Sequence, residues 1–408
     1  MKRDDIMHGI ALLAVLALPL ALFYARAVAD VLIVAVDILF LLRGQWGWAR
    51  RPWVKLAAAI WLLQLAASVL YGPGKSAFEA LVMFRMFLFV AALEDWVLAG
   101  AAARRAMWVV FLVLAVWTAS QCWEQYLTGH ALMGARRWGD GSLTGPFYKP
   151  RCGPIFLYLV LPGLLPLVLR LVAAPRWRAW AGGLALLLAC VATSILIGQR
   201  MPNVLFLLGL CITGLLVRRF RAPLLIAIAV GALAVAALPV ISPPTFAKLV
   251  VKFASQMSHF AASPYGQLYT RASVMIAARP WLGFGFEGFQ DFCGQTQFWH
   301  GWPALGIPDA ENGGIKACNL HPHNYYLQLG TMAGLPGLAL FVALVVTWLR
   351  RMAAALRPGA DGVQATLFVT CCVLFWPLAS TSGLFTLDTA GWVFLITGWG
   401  LAASRRAE

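Results

Sequence analysis

A chain of 408 residues that is 61% hydrophobic and only 12% charged, with mean hydropathy +0.78, lies far outside the composition of ordinary soluble proteins. It reads as an integral membrane protein. The net charge of +16 would suit a nucleic-acid ligand, but its placement at alternate loops describes membrane topology and excludes that partner. Lys2 and Arg3 precede an apolar run with no polar mature domain after it, so no removable leader is expected.

A bilayer span takes roughly 20 apolar residues. Twelve are predicted, near 6–24, 28–42, 54–71, 77–93, 106–123, 153–172, 179–198, 202–217, 223–240, 325–349, 363–380 and 384–402, with the second, fourth and eighth short. The predicted fold is all-α and polytopic. Residues 1–240 hold the first nine spans, 241–323 form a large, partly helical outer loop, and 324–408 hold the last three.

Of the 32 basic residues, 19 fall in short loops on one side: Lys2, Arg3, Arg43, Arg50, Arg51, Lys55, Arg104, Arg105, Arg170, Arg176, Arg178, Arg218, Arg219, Arg221, Arg350, Arg351, Arg357, Arg405 and Arg406. The positive-inside rule makes that side, and both termini, cytoplasmic. Arg136, Arg137, Lys149, Arg151, Arg200, Lys248, Lys252, Arg271, Arg279 and Lys316 remain on the outer face, where orientation does not account for them. An anionic ligand would. Within the spans, Arg85 is expected to pair structurally with Asp37.

The outer loop 124–151 interleaves Arg136, Arg137, Lys149 and Arg151 with Trp138, Phe147 and Tyr148, a mixture suited to a sugar phosphate or to lipid headgroups. The tight turn 197–203 leaves Arg200 at a helix junction with little freedom, as a fixed cation or a snorkelling one. Beyond Pro243 and Pro244, the apolar residues Phe246, Leu249, Val250, Phe253, Met257 and Phe260 recur at helical spacing, predicting an interfacial helix. A second helix near 267–278 carries Arg271 and ends by Pro280. Gly283, Gly285 and Gly288 spell GxGxxG, but without a strand before or a βαβ helix after, they carry no dinucleotide signal.

Cys293 and Cys318 share the outer loop and are expected to bridge, with Cys122 and Cys152 a weaker pair. His321, Pro322, His323 and Asn324 fall where the tenth span should begin, since Pro is accepted in a first helical turn. Gly330, Gly334 and Gly337 follow at a spacing that admits a neighbouring backbone.

These residues together resemble the O-antigen ligase and polymerase family of bacterial envelope enzymes. The resemblance rests on Gly198-Gln199-Arg200, on Arg271 followed by RPWLGFG at 279–285 and Phe289, on HNYYLQ at 323–328 with Gly334, and on GPFYKP at 145–150. It implies a C-type glycosyltransferase-like fold in the bacterial inner membrane, with a periplasmic active site. It further implies transfer of a glycan from undecaprenyl pyrophosphate to lipid A core, with Arg200 and Arg271 on the pyrophosphate and His323 acting on the acceptor.

Such a transfer needs a held leaving group and an acceptor hydroxyl relieved of its proton. Arginines can grip the phosphates, and the outer carboxylates Glu124, Asp140, Glu287, Asp291, Asp309 and Glu311 contain no Asp-x-Asp, so neither metal nor other cofactor is expected. His323 at a positive helix end would stay neutral and serve as base. His321 is a second candidate for that role, Asn324 and Gln328 are candidate substrate contacts, and Asp388 could orient the histidine. Without paired carboxylates, inversion by direct displacement follows. A polymerase or protein O-oligosaccharyltransferase of the same family, or a flippase of lipid-linked glycans, is the alternative.

Overall fold

The structure, a computed structural model, describes residues 3–132, 134–309, 313–356 and 362–405. Lys2, Glu311, Arg357 and Arg406 lie outside the described residues. In chain order the main helices are α1 (Arg3–Tyr24), α2 (Arg26–Leu42), α3 (Pro52–Tyr71), α4 (Gly74–Val97), α5 (Ala101–Thr128), α6 (Cys152–Ala173), α7 (Trp177–Ile197), α8 (Arg200–Leu216) and α9 (Arg221–Ile241). They continue with α10 (Pro264–Ala278), α11 (Tyr325–Ala355), α12 (Gly362–Leu374) and α13 (Leu387–Ala403). Each of the twelve predicted stretches overlaps one of these helices, although α12 ends at Leu374, short of the predicted 380. Among the described residues, eight helices are long and apolar enough to cross a membrane; α8, α12 and α13 are apolar but shorter. The fourth span, expected to be short, is the 24-residue α4. No strand forms among the described residues.

The chain divides into two compact units. One holds residues 1–100, 256–354 and 375–408; the other holds 101–255 and 355–374. The first is built around α13, whose residues from Thr389 to Ala402 are all buried. A helix apolar on every side has no solvent or lipid face to present, so it becomes a core. Gly398 lets it approach Leu93 of α4, where a Cβ would sit 2.7 Å from the leucine's Cδ1.

One end of this unit is tied by charge. Arg51 binds both Glu94 and Asp95, Arg351 reaches Glu94 at 2.5 Å and Arg405 reaches Asp95 at 3.2 Å. Trp53 donates its indole N–H to Glu94 at 3.0 Å. Three arginines assigned to one side from sequence therefore converge at a single end, around two carboxylates that the charge pattern did not single out. The expected Asp37–Arg85 pair does not form. Arg85 binds Asp30, nearer the start of the helix that also holds Asp37, at 2.9 Å. Asp37 is buried, with neither carboxylate oxygen hydrogen-bonded to a described residue.

In the second unit α6 is the buried member, and Pro162 removes a helical donor where the helix widens into a π-turn at Val160–Leu164. Gly163 there lies against the backbone of Phe111, where a Cβ would be 3.0 Å away. The predicted interfacial helix exists as a helical run of three pieces, Pro243–Phe246, Ala247–Val251 and Lys252–Ser258. Phe253 and Met257 are exposed in it, as are Lys252 and Ser255.

Candidate functional site

The entrance of α11 gathers the histidines. The helix starts at Tyr325, not at Pro322, because Asn324 caps it: the Asn324 Oδ1 accepts from the N–H groups of Tyr326 at 3.0 Å and Leu327 at 3.1 Å. Residues 319–323 are thus a loop leading into the cap. His323 has φ +55°, the only positive φ outside glycine among the described residues. A non-glycine side chain held there marks a backbone determined by its surroundings.

Those surroundings are the segment 375–386 between α12 and α13. The His323 carbonyl accepts from the Thr381 N–H at 2.8 Å, and the His323 Nδ1 lies 2.8 Å from the Thr381 carbonyl. Asn324 donates to the carbonyls of Pro377 at 2.8 Å and Ala379 at 3.2 Å. Tyr326 donates to Phe375 at 2.6 Å, and Gln328 accepts from the Leu384 N–H at 2.8 Å. Asn324 and Gln328, expected as substrate contacts, therefore have these groups engaged in holding the segment. Asp388, a candidate orienter, pairs with Arg26 at 2.5 Å instead.

Stereochemistry sets the tautomers. A carbonyl only accepts, so Nδ1 of His323 carries the proton and Nε2 the lone pair. The backbone N–H of His323 donates to Nδ1 of His321 at 3.2 Å, so that ring, when neutral, is protonated at Nε2. The rings meet edge to face with centroids 4.3 Å apart, and Tyr265 of α10 packs edge-on to His323 at 5.6 Å. Burial lowers both basicities: His321 falls to about 4, through desolvation first and the neighbouring His323 second, and His323 falls through desolvation, partly opposed by Thr381. The neutral state expected from the helix dipole thus has desolvation as its main cause.

Beside this entrance α11 is broken. Ala333 and Gly334 leave helical geometry, with φ −135° and +66°. The turn 280–288 fills the break: Phe284 N–H donates to the Thr331 carbonyl at 2.8 Å, Gly285 to Met332 at 3.0 Å, and Leu335 back to Pro280 at 2.6 Å. Gly283 makes this approach possible, because a Cβ would sit 2.6 Å from the Thr331 oxygen. The close neighbour anticipated for Gly334 is therefore a turn rather than another helix.

Arg271 of α10 is fully buried. Its guanidinium donates to the carbonyls of Cys293 and, at 2.6 Å, of Gly314, with the Trp299 ring 5.8 Å away. The structure bonds Cys293 to Cys318, Cα atoms 5.5 Å apart, so Arg271 braces both sides of the bridged loop. Burial lowers its pKa to about 10, leaving it charged at neutral pH. Arg279, not singled out as a site residue, has its guanidinium carbon 4.3 Å from the Tyr71 ring and 4.6 Å from that of Phe284.

In the other unit Arg200 opens α8, half-buried, after Gly198 at φ +75° and the N-cap Gln199. Gln199 is fixed by donating to the Pro150 carbonyl at 2.8 Å. Arg136 and Lys149 are exposed, and Arg137 lies over Tyr126 at 5.2 Å. Lys248 binds Asp140, tying the loop 124–151 to the helical run 243–258. Cys122 and Cys152 are unbonded, with sulfurs 3.2 Å apart. Sequence reasoning missed Asn319, Tyr265 and the Thr381 carbonyl, and named Arg279 as an outer cation without placing it in the site. Only Arg279, within its motif, had a local signal; the others matter through partners 4 to 58 residues away.

The fold and the α11 entrance define a polytopic helical membrane protein with a neutral, tautomer-locked histidine at the mouth of a helix. Residues 185–342 match the family model described as O-antigen ligase. The match takes in Arg200, Arg271 and His323 and leaves Arg136, Arg137 and Lys149 outside it. No curated protein and no solved structure matches the chain.

Proposed function

We propose that the protein is an O-antigen ligase of the bacterial inner membrane. It would span the bilayer twelve times, with both termini cytoplasmic and the α11 entrance periplasmic. It transfers a glycan from undecaprenyl pyrophosphate to a sugar hydroxyl of lipid A core. The observation that carries this reading is the lone pair on Nε2 of His323, fixed by the Thr381 carbonyl on the far side of the ring.

In the transfer, the acceptor hydroxyl gives its proton to Nε2 as its oxygen bonds to the anomeric carbon. The bond from that carbon to the pyrophosphate oxygen breaks, and its electron pair leaves with the pyrophosphate, inverting the centre. Arg200, pre-positioned by Gln199, is the cation for the developing phosphate charge, in place of a metal. Arg271 keeps its charge and braces the disulfide loop above α10. Arg136 and Lys149, exposed, and Arg137, half-buried over Tyr126, offer charge to the donor's phosphates or to membrane lipids. The basic outer face suits a phosphorylated acceptor, which favours ligase over polymerase.

The test is transfer by the full-length protein in detergent or membranes, with lipid-linked glycan and lipid A core. His323→Ala should lose about 10²–10⁴-fold in rate, and Arg200→Ala should lose transfer as well, while EDTA should have no effect. Undiminished transfer by His323→Ala overturns the base assignment, EDTA inhibition reversed by magnesium overturns metal independence, and chain lengthening on the carrier without lipid A core means polymerase.

A further inference from the structure

The neutral lone pair of His323 is not open in this structure. The Asn319 side-chain amide points its Nδ2 at His323 Nε2 across 3.2 Å. Which end of that amide faces the ring is decided independently, because the Leu320 N–H donates to Asn319 Oδ1 at 2.8 Å. An oxygen that accepts there leaves the NH2 group for the histidine. The ring nitrogen it meets can only accept, since the proton sits on Nδ1 against the Thr381 carbonyl. Donor meets acceptor, and the contact exists only while the ring is neutral; a protonated His323 would set N–H against N–H.

The amide is well placed to leave. Asn319 is exposed, lies outside regular structure, and follows Cys318, whose bond to Cys293 anchors the chain one residue earlier. An N–H donating into Nε2 has the position and polarity of the acceptor O–H in the proposed transfer. We infer that Asn319 is a positioning residue for the base: its amide stands in for the acceptor hydroxyl at Nε2, holds His323 as the Nε2-accepting neutral tautomer, and is displaced when the acceptor arrives. The inference rests on His323 being the base.

Few other groups can move this titration. His321 faces the ring from its own loop, Tyr265 from α10, and Tyr269 of α10 lies by Asn324 and Ser380. The lowered basicity of His323 comes from burial, against Thr381, with no carboxylate or cation among its causes. A charge introduced at 319 would therefore be the one new charged neighbour of the ring.

The experiment compares pH profiles of transfer for the wild type, Asn319→Asp and Asn319→Ala, each normalised to its own plateau, with an undecaprenyl-pyrophosphate-linked repeat as donor and lipid A core as acceptor. A carboxylate at 319 accepts a hydrogen bond from the imidazolium N–H and stabilises the charged ring, so the acid limb should rise by about one pH unit or more. Alanine removes the donor without adding charge, and should raise the limb by a few tenths of a unit. A residue that only shaped the loop would change the plateau and leave the limb where it was. An Asn319→Asp limb that coincides with the wild type or falls overturns the inference. If the Asp variant gives no active protein, an Asn319→Ala limb coincident with the wild type overturns it equally. His323→Ala run in parallel separates the two levels: if it still transfers, the base assignment has failed; if it is dead while the Asn319 limbs stay put, only the role of Asn319 has failed.

Discussion

His323 and Thr381, 58 residues apart, hold each other twice: the histidine's Nδ1 donates to the threonine's carbonyl at 2.8 Å, and the threonine's amide donates to the histidine's carbonyl at 2.8 Å. Ring tautomer and left-handed backbone are thus set by one partner. Because burial outweighs the Thr381 bond, His323 is neutral at a lower pH than a free imidazole. A base works in its neutral form, so activity should be retained as pH falls through 6.5, the value of an ordinary histidine, and lost only below it. The pH dependence of transfer at saturating donor measures this; an acid limb above 6.5 contradicts it.

Stability should fall in acid through His321. Its folded pKa of about 4 lies below the unfolded 6.5, so between these values the unfolded chain binds the extra proton and stability rises with pH. Acidifying from 6.5 to 4 should cost roughly 3 kcal/mol from this group alone. His321→Asn, which cannot titrate there, should flatten the dependence of melting temperature on pH across that window.

Gly283→Ala should destabilise the turn that fills the α11 break. Its φ of +68° disfavours a side chain, and a Cβ would press on the Thr331 carbonyl and the Ala333 nitrogen, 2.6 and 2.7 Å away. The expected cost is about 2 kcal/mol or more. Gly9→Ala, with nothing within 4 Å of its Cβ, should be neutral or slightly stabilising and serves as the control. Thermal unfolding in detergent distinguishes them.

Arg271→Ala should act first on the loop fold. Removing a buried guanidinium leaves the carbonyls of Cys293 and Gly314 without its donors, at roughly 2–4 kcal/mol. Faster proteolysis within residues 293–318 should accompany any loss of transfer. Loss of transfer with unchanged melting and proteolysis would mean that Arg271 meets substrate instead.

Glu94→Ala should be among the most damaging single changes at the other end of that unit. It would strip Arg51 and Arg351 of a shared, fully buried carboxylate and Trp53 of its acceptor. Leaving charges without their partner costs about 3–5 kcal/mol. Glu94→Gln, which keeps the shape and one acceptor, should lose less; equal melting temperatures for the two variants would show that the charge is immaterial.

Much of this molecule was legible in one dimension. Apolar runs marked the main helices, eight of which among the described residues are long and apolar enough to cross a membrane, since the apolar length of a helix is a property of the segment itself. Motif order carried the family likeness, and the histidine, glycine and arginine positions came with it. Tertiary structure decided what those residues touch. Pairings such as His323 with Thr381, Arg85 with Asp30 rather than Asp37, and Glu94 with the start of α3 and the far end of α11 depend on which helix faces which. Hydrogen bonds and ion pairs act within a few ångströms, and no local pattern records where a partner tens or hundreds of residues away will come to lie.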